Sequence, residues 1–218
     1  NVAKRDGLGV VLMEAVSAIG RLPDAYFQAV GSGAGAIAVW EMAERFLLDG
    51  RFGERLPRLY LAQNLPFAPM FRAWKRGERR LASVDLDPGL IEEISTRVLS
   101  SRYPAYAICG GVYDALTASD GNMYGITNGE MAEARLLFEE MEGVDIVPAA
   151  AIAVAALQKA VKAKEIASDE LILLNITGGG EKAIHHRGQT AMVEGNFISK
   201  TITREGIDEL LCHVLKRN

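Results

Sequence analysis

The stretch Gly31-Ser32-Gly33-Ala34-Gly35 follows a strand-like run and opens a helix-like one. Glycines let a backbone approach an anion closely, and amides left free at a helix start point toward it. Such residues can cradle a phosphate. The loop is not a P-loop, because no Gly-Lys-Ser or Gly-Lys-Thr follows. It is not the dinucleotide fingerprint either, because Gln63-Asn64 stand where an acidic residue would close the second strand. A tight strand-to-helix turn without a ligand accounts for it equally well. A second candidate, Thr177-Gly178-Gly179-Gly180, ends an apolar run. Open α/β sheets bind ligands at that end of their strands, and three glycines leave room for a flat one. A lone threonine there is also an ordinary turn residue. The third candidate, Glu142-Gly143 through Pro148-Ala149-Ala150, is a sharp turn into a helix and by itself structural. Gln63 and Asn64 could bond substrate oxygens or anchor a loop. Arg102, beside Tyr103-Pro104, could grip a phosphate or sulfonate bidentately, or simply form a surface ion pair. Tyr113 and Asp114 could line a pocket or pack. His185, His186 and His213 fit no triad, and Cys109 and Cys212 have no ligand spacing, so no metal site is expected.

The elements that must position these residues follow from periodicity. Leu8, Leu12, Val16 and Ile19 predict a helix over 6–19, stopped by Gly20. Residues 25–30 predict a strand, 36–48 a helix ended by Asp49-Gly50, and 58–63 a second strand. Strand, glycine loop, helix and strand make a βαβ unit, which implies a parallel sheet with covering helices. Further on, 88–99 predicts a helix and 122–127 a strand. Asn128 is the expected N-cap of a helix over 129–142. A helix over 149–163 follows, then a strand over 171–176 buried on both faces, and a last helix over 206–215. No repeat or low-complexity linker divides the 218 residues, so one α/β domain over 1–218 is expected.

With 24 basic and 28 acidic residues the net charge is −4, and 49% of residues are hydrophobic. Those values exclude wholesale disorder and argue against a general nucleic-acid binder. The basic run Lys75 to Arg80 is interrupted by Glu78 and reads as a solvated helix end. The longest apolar run, 146–157, is too short to cross a bilayer and contains Pro148. The first residues lead into no secretory apolar stretch. No membrane association and a cytoplasmic home are the expectations.

In order along the chain, Ala29-Val-Gly-Ser-Gly-Ala-Gly35, Glu142-Gly through Pro148-Ala-Ala150 and Asn175-Ile-Thr-Gly-Gly-Gly180 resemble the fold-type II pyridoxal-phosphate enzymes, most closely their threonine synthase branch. The resemblance implies the parallel-rich α/β large domain of that fold, which is tryptophan synthase β-like, and pyridoxal 5'-phosphate as cofactor. It implies that Gly31, Ser32, Gly33, Ala34 and Gly35 bind the cofactor phosphate and that Thr177 faces the ring nitrogen. Longer strings resemble the branch members that make cysteate on the way to coenzyme M. They are Tyr26-Phe-Gln-Ala-Val-Gly-Ser-Gly33, Gln63-Asn-Leu-Pro-Phe67, Tyr103-Pro-Ala-Tyr106 and Gly110-Gly-Val-Tyr-Asp114. The implied reaction is β-replacement, in which O-phosphoserine and sulfite give cysteate and phosphate. The implied partners are small anionic substrates and further copies of the same chain.

Members of that family carry their Schiff-base lysine well upstream of the glycine loop. Only Lys4 precedes the loop here, in surroundings unlike that motif, so the chain resembles a C-terminal part and is not expected to catalyse alone. The catalytic residues are therefore not identified in it. The other readings are threonine synthase acting on O-phosphohomoserine, an inactive cofactor-fold module, and a nucleotide-binding domain. The missing acidic residue counts against the last.

Overall fold

The computed structural model describes residues 2–186, 203 and 207. The chain divides into two compact units, Asn1–Lys182 and Ala183–Asn218. The architecture below is that of the first. The helix expected over 206–215, with Cys212 and His213, lies outside the described residues.

Helix α1 (Val2–Ile19) leads into strand β1 (Ala25–Ala29), helix α2 (Ala34–Asp49) and strand β2 (Arg58–Asn64). The βαβ unit read from the sequence is therefore present. Helix α3 (Pro69–Lys75), a 3-10 turn at Ser83–Leu86, helix α4 (Gly89–Glu93), a 3-10 turn at Arg97–Leu99 and helix α5 (Val112–Ala118) fill the next stretch. Strand β3 (Asn122–Ile126), helices α6 (Asn128–Glu142) and α7 (Pro148–Lys162), strand β4 (Ile172–Leu174) and helix α8 (Glu181–His186) follow. The sheet order is β3-β2-β1-β4, and every pairing is parallel.

Alternation along the strands divides the core in two. Tyr26, Leu59, Leu61 and Met123 pack with Leu12 and Val16 of α1, Ile37 and Val39 of α2 and Leu116 of α5. Phe27, Tyr60, Ala62 and Ile126 pack on the other face, against α6 and α7. Helix α7 is buried along Ala149–Ala156, where its alanines let it lie close on the sheet. Both faces are covered, as a parallel sheet requires.

Three expectations need correction. The helix over 88–99 is broken: α4 ends at Glu93 and a 3-10 turn begins at Arg97. Thr96 is drawn out of helical pairing by Asn64, whose Oδ1 accepts from its amide at 3.1 Å and its hydroxyl at 2.8 Å. The N-cap of α6 is Thr127, not Asn128. Thr127 and Glu130 form a reciprocal capping box, while the Asn128 side chain donates to Glu93 O and accepts from Ser95 N. Strand β4 is three residues long and half-buried rather than enclosed, because among the described residues it pairs with β1 alone.

Candidate functional site

In a parallel sheet all carboxyl ends open on one edge. There β1 runs into the glycine loop, β2 ends at Gln63-Asn64 and β4 runs into Thr177. Strands β1 and β4 are neighbours, with Phe27 paired to Leu174, so the two glycine-rich segments leave the sheet side by side. Counted along that register, Thr177 stands level with Val30, the residue before the loop.

The loop is backed by protein and open at Ser32. A Cβ on Gly31 would meet the Leu99 carbonyl oxygen at 2.8 Å. One on Gly33 would lie 2.2 Å from Val112 Cγ2, and one on Gly35 2.5 Å from Gln28 Nε2. Gly33 also has a φ of +82°, which disfavours any side chain. Ala105 N donates to Ser32 O at 2.9 Å, fixing the tip. Helix α2 makes its first bond from Ile37 N to Gly33 O. The amides of Gly35 and Ala36 find no acceptor among the described residues, as the first turn of a helix requires. Ser32 is exposed, and Ala34 and Gly35 are half-buried. Free first-turn amides, an exposed hydroxyl and glycines that only a side-chain-free backbone satisfies are a donor set that fits a phosphate group.

Thr177 is exposed and makes no hydrogen bond among the described residues. Its turn is held from behind by the segment that includes the third sequence candidate. Val147 N donates to Gly178 O at 3.0 Å and Gly180 N to Asp145 O at 2.8 Å. A Cβ on Gly179 would lie 2.3 Å from Asp145 O. The buried Asp145 carboxylate accepts from Lys182 N. Asn175 ties the turn to β1, its Nδ2 donating to Tyr26 OH at 2.8 Å. Burial pushes the Tyr26 phenol well above its ordinary pKa, so it stays neutral.

Gln63 and Asn64 differ. The Gln63 Oε1 accepts from Phe71 N at 3.0 Å, capping the first turn of α3, while its buried Nε2 has no partner among the described residues. Asn64 is buried and committed at both ends. Its Nδ2 donates to Leu65 O, Ile126 O and Asn128 Oδ1, and its Oδ1 accepts from Thr96. Of the two readings of Asn64, substrate contact and loop anchor, its hydrogen bonds favour the loop anchor. Arg102 is exposed over the Tyr103 ring, three residues from the Ala105 contact with Ser32. Asp114 pairs bidentately with Arg79 and accepts from Gly110 N, so it is a structural ion pair. Tyr113 packs edge-on against Trp74 and Tyr106. Among the described residues no group of three His, Cys, Asp or Glu could hold a metal, and no helix is long and apolar enough to cross a membrane.

Sequence reasoning gives no separate part to Thr96, Leu99 or Gln28 and meets Asp145 only within a turn. The one available signal is a pair of asparagines, 64 and 128, at or just beyond strand ends on the ligand edge.

Comparison with known proteins matches residues 1–178 to the family described as "Pyridoxal-phosphate dependent enzyme". The cysteate synthase of Methanosarcina barkeri (strain Fusaro / DSM 804) is 51% identical over 187 residues, 84% of this chain and 45% of that protein. That of Methanoculleus marisnigri (strain ATCC 35101 / DSM 1498 / JR1) is 54% identical over 183 residues, 83% of this chain and 43% of that protein. The chain thus spans about half the length of the curated relatives it matches. Among solved structures, serine racemase from Dictyostelium discoideum aligns with a TM-score of 0.55 at 18% identity, covering 81% of this chain and 49% of that one. A fungal L-serine ammonia-lyase from Rhizomucor miehei aligns at 0.59 and 13% identity, covering 85% and 56%. At those identities the likeness speaks to the fold, which is fold-type II.

Proposed function

The chain belongs to the family of pyridoxal-phosphate dependent enzymes, and we propose that the protein it represents exchanges the phosphate of O-phosphoserine for sulfite, yielding cysteate. In that reaction a Cβ–O bond breaks, phosphate leaves and a Cβ–S bond forms. The observation that carries the reading is the β1–β4 pairing, which sets the glycine loop and the Thr177 turn side by side on the ligand edge. The identity of about half to cysteate synthases supports the choice of reaction.

Pyridoxal phosphate, when bound, supplies the electron sink for loss of an α-proton and a β-substituent. In this proposal the amides of 31–35 with the Ser32 hydroxyl hold its phosphate. The Thr177 hydroxyl faces the ring nitrogen. Being neutral, it makes a hydrogen bond without holding that nitrogen protonated as a carboxylate would. The unpartnered Gln63 Nε2 suits an anionic oxygen of the substrate, since a buried donor without an acceptor costs about 1–3 kcal/mol. Arg102 serves as an anion contact near the loop. The proposal also takes the working protein to be a cytoplasmic homo-oligomer.

The test follows phosphate release from O-phosphoserine by the full-length protein loaded with cofactor, with and without sulfite, and identifies the amino acid formed. Sulfite-dependent release with cysteate as product is expected. Release from O-phosphohomoserine alone would overturn it in favour of threonine formation, and release from neither would leave an inactive cofactor-fold module.

A further inference from the structure

We propose that Asn64 is a positioning residue: it sets the segment that backs the glycine loop, and through it the shape of the phosphate cradle. The inference rests on the reading of residues 31–35 as that cradle.

The connection is continuous. Asn64, at the carboxyl end of β2, is 1% exposed. Its Oδ1 holds both the amide and the hydroxyl of Thr96, itself 2% exposed. Its Nδ2 reaches Ile126 O at 2.9 Å and Asn128 Oδ1 at 3.1 Å. Asn128 in turn accepts from Ser95 N at 3.0 Å and donates to Glu93 O at 2.8 Å. Thr96 O accepts from Leu99 N at 2.8 Å, closing the 3-10 turn. That turn presents the Leu99 backbone to Gly31, where a Cβ would have its carbonyl carbon at 3.0 Å and its Cα at 3.1 Å. Among the described residues, the side-chain hydrogen bonds tying 94–104 to the strand ends are those of Asn64 and Asn128. Without Asn64 the backing of Gly31 loses its fixed height, while the loop's own residues are untouched. The effect belongs to the phosphate and not to the reacting carbon atoms.

The test uses the full-length holoenzyme, with two readouts: the dissociation constant of pyridoxal phosphate and the 31P resonance of the bound phosphate. Asn64→Ala is expected to weaken binding about tenfold and to move the resonance. Thr96→Val, which removes only the hydroxyl bond, should move both the same way by less. Asp24→Asn, at the opposite edge of the sheet, should lower stability and leave the resonance in place. A resonance and affinity at wild-type values in both Asn64→Ala and Thr96→Val, with Ser32→Ala changing them, would overturn the proposal alone. Wild-type values in Ser32→Ala as well would mean that the loop does not hold the phosphate, and both readings would fall. If Asn64→Ala does not fold, Thr96→Val decides.

Discussion

The glycine loop and the Thr177 turn sit on neighbouring strands but are built differently. Strand β1 is paired on both sides, and Tyr26 and Phe27 are fully buried. Its loop is gripped by Leu99, Ala105 and Val112 and continues into a helix of 16 residues. Strand β4 has three half-buried residues and one partner strand among the described residues. Its turn is held by Asn175 at one end and the backbone of 145–147 at the other. The loop proposed to hold the phosphate is thus fixed by packing, in which a lost methyl group is felt, and the turn proposed to face the ring by a few hydrogen bonds.

The largest effect should come from the packed side. Gly33→Ala places a methyl group against Val112 and forces a left-handed backbone onto a residue that resists it. The expected loss is about 3 kcal/mol in a urea unfolding titration, together with cofactor binding. A loss below half that size would mean that the loop is softer than its contacts suggest. Next is the tie between the two regions. Asn175→Ala leaves the buried Tyr26 hydroxyl without its partner and should cost about 1–2 kcal/mol. Hydrogen exchange should then quicken in β4 and not in 31–35; quickening in both would show that the regions form one cooperative unit. Asp145→Ala removes the bonds to Lys182 N and should cost about 1 kcal/mol, read as faster exchange confined to 178–182.

The smallest effect is set by pH. Asp24 caps the start of the β1–β4 pair, its carboxylate accepting from Leu171 N at 2.7 Å. The Arg21 guanidinium, and then that amide, hold its carboxyl below the ordinary value of 3.8. A carboxyl lowered on folding contributes stability that is complete above the unfolded value and is lost as pH falls through the folded one. Exchange at Leu171 and Ile172 should therefore be flat from neutral pH to about 5, once corrected for intrinsic rates, and quicken below the ordinary carboxyl range. Asp24→Asn should remove that acid dependence. A loop that loosened over the same range would erase the distinction between the regions.

Local pattern carried the packed region and tertiary bonding carried the rest. The βαβ unit was legible because glycines, apolar periodicity and the stop at Asp49-Gly50 are encoded within forty residues. The break after Glu93 was not, although Leu90, Ile91 and Ile94 have helical spacing, because two asparagines from β2 and α6 compete for the backbone there. For the same reason Asn128 read as a cap: its cap-forming side chain is used on Glu93 and Ser95, and Thr127 takes its place. The apolar run around Leu173 announced a strand but not its position at a sheet edge, since hydrophobicity reports burial and not which neighbour supplies it. Gln63 and Asn64 are adjacent polar residues on one strand end. The Asn64 donor is taken by Ile126 O and Asn128 Oδ1, 62 and 64 residues away, while that of Gln63 has no partner among the described residues.

The β1–β4 pairing also has a consequence in time. Asp24 and Leu171 are 147 residues apart along the chain, while the strands and helix around the glycine loop are complete at Asn64 and its backing contacts at Val112. Loop closure over so long a span is slow and comes late, whereas local units form early. During synthesis, the glycine-loop half of the edge can therefore take shape before the segment that carries Thr177 has left the ribosome. The half that carries Thr177 waits until β4 has emerged. On the proposed roles, contact with the cofactor's ring nitrogen becomes a checkpoint passed only by a chain translated through Thr177.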